Sequence, residues 1–380
     1  MKVGVLTFHK CINYGSYWQA RCLVEGLRAR GHDAELMDHD CECIRRAEAR
    51  CALQPKLPER TPQEELPAYR AKTRRFIDAI ARLPLSRRFS LHQPDAAGEY
   101  DAIVVGSDEV WNFRHPWYGS KPIFFGDGLK TERLLSYAAS FGNHSAWDGI
   151  DPEWAERLGR FSKISVRDEN SWHLVRGGID REPPIVLDPC LQFPQAIEEA
   201  DGVGRGDYAV VYGHLFPGWL ARRVRAWADR AGVRLVSVGY SNGWADEQRI
   251  GASPVEFARM MAGARSVITN FFHGCVFALL NGKPWAAAPS DYRSIKIPDL
   301  ANTLDAQRRI VDEEAREAEL HELLETPIQP QVTARLEEYR GPARQPCRDG
   351  RIGSVHRLRQ LRFGPRRRIH ALGQGRLPQA

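Results

Sequence analysis

The chain has 380 residues, 43% hydrophobic and 27% charged, which is ordinary for a water-soluble globular protein and long enough for two compact cores. No apolar run reaches bilayer-crossing length, and Met1 leads directly into a strand-like run, so a cytoplasmic location is expected. The formal charge of +6 is unevenly placed: residues 341–380 hold ten Arg, no Lys and a single acid, Asp349, leaving the remainder mildly acidic.

In chain order, the strand-like "KVGVLTF", the helical "WQARCLVEGLRARG" and the strand-like "DAELMDH" form a βαβ unit, whose right-handed crossover implies a parallel sheet. Between the first strand and helix stands Asn13-Tyr14-Gly15-Ser16. Amides at a helix start, together with the helix dipole, suit an anion, and a well-capped helix is the alternative. Tyr17 and Trp18 offer either a stacking surface for a ligand or core packing. The 8 cysteines are irregularly spaced, as in a reduced protein rather than a disulfide framework. His39, Cys41, Cys43 and Cys51 cluster, but a single residue between Cys41 and Cys43 is short of usual zinc-hairpin spacing, so no metal site is expected.

Charged helices, among them "AKTRRFIDAIARLPL", interrupt the pattern at 41–99 before the strand-like "YDAIVVG". In the following "GSDEVWN", Asp108 is placed to cap a helix or to bind a hydroxyl or water. "RLLSYAAS", "KISVRD" and "PIVLDP" continue the strands and carry Arg167, Asp168 and Asp188 at their ends. An Arg there suits a two-pronged contact to a carboxylate or phosphate, with a surface ion pair as the alternative.

A Gly/Asp-rich stretch at 198–207 reads as a linker between an N-terminal domain, 1–197, and a C-terminal one, 208–340. The second series runs "YAVVYGH", "GWLARRVRAWADRAG", "RLVSVGY", a helix opening at Pro254, "SVITNFFHG" and "PWAAAPS". His273 lies at a strand-to-helix switch beside Gly274, which permits close approach. Such a histidine suits proton transfer near neutral pH, and a structural role is equally compatible. The expected fold is α/β, with two Rossmann-like domains and a cleft at the carboxyl ends of their strands. The tail, 341–380, is expected to be disordered. Ile352, Val355, Leu358 and Leu361 recur at threes and allow a basic amphipathic helix that contacts an anionic membrane or nucleic acid.

The ordered set "NYGSYWQA", "GSDEVWN", "SYAASFG", "SVRD", "VLDP", "SPVEFARMMAGARSVITNFFHG" and "KIPDL" resembles the polysaccharide pyruvyl transferase family over about residues 2–310. The resemblance implies two GT-B-like halves and a reaction between phosphoenolpyruvate and a sugar-containing acceptor. Two sugar hydroxyls add to C2 of the enolpyruvyl group, giving a pyruvate ketal and phosphate. It also implies Arg167 as an anchor of phosphoenolpyruvate and His273 as a binding and acid/base residue. Asp108 and Asp188 are candidate proton partners, and Asn13, Tyr14, Gly15, Ser16 and Gly274 match substrate-binding motifs. In this reading the helix-start amides of Gly15 and Ser16 help Arg167 to neutralise the donor. No resident cofactor is called for, and no carboxylate cluster has a definite metal spacing, which leaves divalent-metal dependence and oligomeric state open. Two positions depart from the family pattern: Phe271 replaces a small Ser before Phe-His-Gly, and Glu109 replaces Gln in "GSDQVWN". Competing readings are a glycosyltransferase using a nucleotide sugar, the family chemistry directed to a peptide or small natural product, and a non-catalytic anion-binding module.

Overall fold

The computed structural model describes residues 1–198, 206–290 and 295–341. The expected linker, 198–207, and the basic tail, 341–380, lie outside the described residues apart from 198, 206, 207 and 341. Strands follow the apolar runs: β1 (Lys2–Leu6), β2 (Asp33–Leu36), the short β3 (His39–Asp40), β4 (Phe89–Ser90) and β5 (Glu99–Tyr100), then β6 (Ala102–Val105), β7 (Lys130–Thr131) and β8 (Leu134–Ser136). The second series comprises β9 (Tyr208–Tyr212), β10 (Arg234–Val238), β11 (Glu247–Arg249), β12 (Ser266–Thr269) and β13 (Trp285–Ala287). The helices used below are α1 (Tyr14–Arg28), α2 (Glu42–Leu53), α3 (Leu66–Ile80), α4 (Pro152–Gly159), α5 (Glu169–Ile179), the short α6 (Pro189–Gln192) and α7 (Gln195–Glu198), α8 (Gly218–Ala231), α9 (Pro254–Gly263), α10 (Phe272–Leu280) and α11 (Lys296–Thr303).

Two parallel sheets result, with strand orders β2-β1-β6-β8 and β11-β10-β9-β12-β13. Val5 pairs with Leu36 and Val104, and Val210 with Val236 and Val267. The runs at 163–168 and 184–189 extend the first sheet only as isolated bridges, Leu135 to Lys163, Ala139 to Val166 and Val166 to Ile185. Edge strand β11 is the polar Glu-Gln-Arg, which explains why apolar patterning does not reveal it.

Side-chain alternation along the strands sorts residues between cores. Val5, Val104, Val210, Tyr212, Val236 and Val267 all point into one shared cluster with Tyr14, Trp18, Phe257 and Phe277. Their neighbours Leu6, Ile103 and Val105 face a second cluster, and Val211, Leu235 and Ile268 a third. The inner faces of the two sheets therefore share a hydrophobic core through α1, α9 and α10. Polar links reinforce it: Tyr14 Oη donates to the Ala252 carbonyl at 2.6 Å and Trp18 Nε1 to the Pro254 carbonyl at 3.0 Å. The 41–99 insertion also grips the second series, because Lys72 on α3 is buried and donates to the Gly239 carbonyl at 2.9 Å. Its ammonium lies 4.1 Å from the Tyr240 ring centre, a favourable cation–π arrangement. Among the described residues no helix is long and apolar enough to cross a membrane.

Helix α11 touches the opposite half through Asp299 Oδ2, which accepts from the Asn170 amide at 3.2 Å. Burial, then the like charge of Asp168, pushes the Asp299 carboxyl up to about 7. The folded state thus holds a proton there that the unfolded chain releases near pH 4, so stability falls as pH rises from about 4 to about 7. Asp299→Asn, which keeps an acceptor for the Asn170 amide, is expected to raise the Tm by a few degrees at pH 8 and to converge with the parent near pH 4. Thermal unfolding across this pH range checks it; a variant less stable than the parent at pH 8 contradicts it.

Candidate active site

Every polar motif singled out above follows the carboxyl end of a strand or bridge, where parallel sheets present side chains to ligands. After β1 the chain turns at Asn13 into α1. Asn13 Oδ1 accepts from the Gly15 amide at 2.8 Å and the Ser16 amide at 3.3 Å, a helix cap in the usual sense. The expectation that these two amides face an anion is corrected on this point, since their hydrogens are committed to the cap. Tyr14 is fully buried and stacks on Phe257 at 4.3 Å. Tyr17 and Trp18 are also buried, so all three aromatics pack the core rather than presenting a face for a sugar.

Gly15 meets the second half of the protein directly. A Cβ at this position would overlap the His273 imidazole at Nδ1 and Cγ. The absent side chain is what lets a ring from the start of α10 lie against the start of α1. Gly274 has a different purpose: a Cβ there would strike the Thr269 side chain, so this glycine lets α10 fold back tightly onto β12. Thr269 Oγ1 accepts from the Phe271 amide at 3.0 Å, which supplies an N-terminal cap that Phe271 itself lacks. The bulk of Phe271 is absorbed by an aromatic cluster, with Tyr212, Tyr240 and His214 rings at 5.0, 5.2 and 5.3 Å.

Asp188 joins the halves electrostatically. It follows the bridge at Ile185, and its Oδ1 accepts from the Cys190 amide at 3.0 Å to cap α6. Arg167 Nη1 donates to Asp188 Oδ2 at 3.1 Å, and His273 Nε2 stands 3.4 Å from the same oxygen. The three residues, Arg167, Asp188 and His273, are 7%, 1% and 9% exposed. Burial alone would raise the Asp188 carboxyl, but His273 and Arg167 outweigh it and hold the group well below the usual carboxylate range. The Arg167 guanidinium also lies 4.5 Å from the Phe272 ring centre. Arg167 Nε is buried without a hydrogen-bond partner, and His273 Nε2, also buried, makes a 3.4 Å ion-pair approach to Asp188 Oδ2 rather than a hydrogen bond.

Asp108 flanks this group. No helix follows it, contrary to one reading of "GSDEVWN"; its φ is 81°, a region that favours glycine and is tolerated by Asp. Its carboxylate accepts from Ser16 Oγ at 2.8 Å and from the Glu109 amide at 2.9 Å, and lies 3.8 Å from Arg167. The motifs "NYGS", "GSDEVWN", "SVRD", "VLDP" and "FFHG" thus converge. The sequence reading did not find a partner for Glu109. Its carboxylate pairs with buried Lys296 of α11 and accepts from Asn112 Nδ2 at 2.7 Å. Burial opposes ionisation, yet Lys296 brings the Glu109 carboxyl down to about 2. A charge at 109 in place of the neutral amide typical of the family was the available signal that a buried cation lies opposite.

Asp188, Cys190 and His273 place donor atoms within 4.8 Å of one another, a spacing that a metal ion can span. The chemistry of the set is poor for a cation. Arg167 already neutralises the carboxylate, and burial pushes the Cys190 thiol well above its ordinary value, keeping it protonated.

The polysaccharide pyruvyl transferase family matches residues 13–292 of this chain. No curated protein matches the sequence. Among solved structures, a putative UDP-N-acetylglucosamine 2-epimerase from Listeria monocytogenes is similar at a TM-score of 0.50 and 10% identity, over 88% of this chain and 90% of that one. UDP-GlcNAc 2-epimerase from Methanocaldococcus jannaschii gives 0.47 and 11%, over 86% and 92%. E. coli heptosyltransferase WaaC with ADP gives 0.40 and 15%, over 78% and 90%. The Listeria likeness concerns fold alone and agrees with the two parallel sheets: the protein is α/β with two Rossmann-like, GT-B-like halves.

Removing the charge at Asp188 leaves Arg167 and His273 without their shared counter-ion. Asp188→Asn is expected to lose about 3–5 kcal/mol of stability at neutral pH, read by urea unfolding. A loss below about 1 kcal/mol contradicts the electrostatic role given to this carboxylate.

Proposed function

The chain belongs to the polysaccharide pyruvyl transferase family, and on that footing we propose that it moves the enolpyruvyl group of phosphoenolpyruvate onto two hydroxyls of a sugar-containing acceptor. The observation that carries this reading is the pair Arg167 and His273 about Asp188: Arg167 Nε is buried without a partner, and His273 Nε2 has a 3.4 Å ion-pair contact with Asp188 in place of a hydrogen bond. A buried donor without an acceptor is costly, so the pair favours a ligand rich in acceptor oxygens, as the phosphate and carboxylate of phosphoenolpyruvate are.

In the proposed reaction C3 of the enol gains a proton and becomes a methyl group. The first sugar hydroxyl bonds to C2 and loses its proton, the C2–O bond to phosphate breaks, and the second hydroxyl bonds to C2. Of the two hydroxyl protons, one balances the proton gained at C3 and the other leaves with hydrogen phosphate. Arg167 holds the donor's negative charge through the guanidinium edge not used by Asp188. His273 Nε2 moves a proton at C3 or at an attacking hydroxyl. Asp188 positions both, and its depressed carboxyl makes it a standing anion rather than a proton shuttle. Asp108 is the candidate for the second proton, its carboxylate being fixed by Ser16. Asn13, Tyr14 and Gly15 contribute by setting the start of α1 and the place of the imidazole. Phosphoenolpyruvate is a co-substrate in this scheme, and no resident cofactor enters it.

Phosphate release from phosphoenolpyruvate with a panel of saccharide acceptors, followed by product mass analysis, tests the proposal. His273→Gln is expected to lower turnover roughly a hundredfold with donor binding retained. Arg167→Lys, which keeps the charge but not the fork, is expected to raise the KM for phosphoenolpyruvate about tenfold or more. Undiminished turnover in the first variant, or an unchanged KM in the second, overturns the corresponding role. Phosphoenolpyruvate is expected to raise the Tm and UDP-sugars to leave it unchanged; the reverse pattern supports a glycosyltransferase instead.

A further inference from the structure

A second chemical cluster lies away from the Arg167–Asp188–His273 group, at the head of α2. Cys41 is the residue preceding this helix and Cys43 lies in its first turn. Their Sγ atoms are 2.7 Å apart, and His92 Nε2, from the segment after β4, stands 3.7 Å from Cys41 Sγ. A covalent S–S bond is about 2.05 Å long, so these thiols already face one another at near-bonding range. All three residues open onto one cavity of about 840 Å³, also lined by Asp40, Glu42, Arg45, Arg46 and Arg88. Cys43 is exposed, whereas Cys41 is 8% exposed and lines this cavity.

Hydrogen bonding and helix position both favour a thiolate at Cys41. Burial would raise its thiol, but hydrogen bonds from Cys43, the Ile44 amide and His92 bring it down to about 7. The start of a helix lowers thiol pKa in general. The guanidinium groups around the cavity are matched by acids, Arg45 with Asp40 at 3.5 Å, Arg46 with Glu42 at 2.5 Å and Arg88 with Asp38 at 3.2 Å, which leaves no strongly anionic lining to attract a metal cation. The helix itself is braced from behind. Glu48 of α2 accepts from Cys11 Sγ at 2.9 Å, the Ile12 amide at 3.3 Å and Trp117 Nε1 at 2.8 Å, so the two thiols sit on an anchored scaffold that also touches the turn leading to Asn13.

We propose that Cys41 and Cys43 are a redox-active dithiol that reacts with low-molecular-weight disulfides. The Cys41 thiolate attacks one sulfur of the small disulfide, forming a mixed disulfide and releasing one thiolate. Cys43 then loses its proton and attacks Cys41 Sγ, which expels the second small thiolate and closes the Cys41–Cys43 bond. Two electrons pass from the protein sulfurs to the small disulfide, which leaves as two thiols after taking up the two cysteine protons. His92 stabilises the attacking thiolate from the open side of the cavity.

The test uses the full chain under native conditions with glutathione disulfide, followed by alkylation and peptide mass analysis. The expected product is an internal Cys41–Cys43 disulfide, formed at least tenfold faster than any adduct at Cys51, an exposed cysteine on the same helix. Cys43→Ser is expected to accumulate the mixed disulfide at Cys41. Cys41→Ser is expected to form no internal bond, and His92→Ala to slow the first step several-fold. Cys41 reacting no faster than Cys51, or a zinc-bound dithiol that glutathione disulfide leaves reduced, overturns the proposal; an unchanged rate in His92→Ala overturns the part given to that residue. These readouts involve no turnover, so they stand apart from the fate of the transferase reading.

Discussion

The site depends on one buried carboxylate facing two cationic or potentially cationic groups. Asp188 is almost fully enclosed, and an isolated anion there would carry a large desolvation penalty. Arg167 from the same half and His273 from the other offset that penalty, and neither is well placed without it. The carboxylate therefore does more than join two halves of the chain. It holds a guanidinium and an imidazole together, with the Arg167 Nε hydrogen-bonding capacity unspent. A polar network left partly unsatisfied is expensive in the resting protein, and the anionic donor proposed above would offset that expense.

Close approach is the second condition. His273 reaches Asp188 only because Gly15 has no side chain in its path, and α10 turns sharply only because Gly274 has none beside Thr269. Both glycines belong to helix starts, and neither is needed for an unusual φ. Their role is steric. Around them the two sheets share one hydrophobic core, so the geometry of the site is held by the burial of Tyr14, Trp18 and Phe257 as much as by polar bonds. Pairs further out, buried Glu109 with Lys296 and half-buried Asn170 with Asp299, tie α11 to the opposite half. They also bring the two family departures into view. Glu109 is matched by a cation, and Phe271 is taken up by an aromatic cluster rather than projecting alone beside His273.

Much of the fold was legible in the linear pattern. The apolar runs of β1, β6, β9, β10 and β12 are strands buried on both faces, and the helices between them imply parallel pairing by handedness alone. The runs at 163–168 and 184–189 read as full strands but form only isolated bridges, since a peripheral run with less pairing to gain leaves the ladder early. The polar edge strand β11 was illegible because an edge needs little apolar patterning. Arg167, Asp188 and His273 were recognisable as site candidates, each at the end of an apolar run, and the ordered motifs gave them a common family context.

What the order of residues determined by itself was the class of fold, the alternation of strand and helix, and the residue types capable of handling charge and protons. These are local properties, set by periodicity, turn chemistry and side-chain functional groups. Which donors are free was decided only in three dimensions. The Gly15 and Ser16 amides look available in sequence but are spent on Asn13, whereas Arg167 Nε remains open because Asp188 takes Nη1 instead. The same holds for Cys41 and Cys43, whose spacing suggests a plain loop until His92, roughly fifty residues on, is folded against them. Hydrogen-bond saturation and steric clearance are pairwise properties of groups distant along the chain, so the tertiary structure alone decides them.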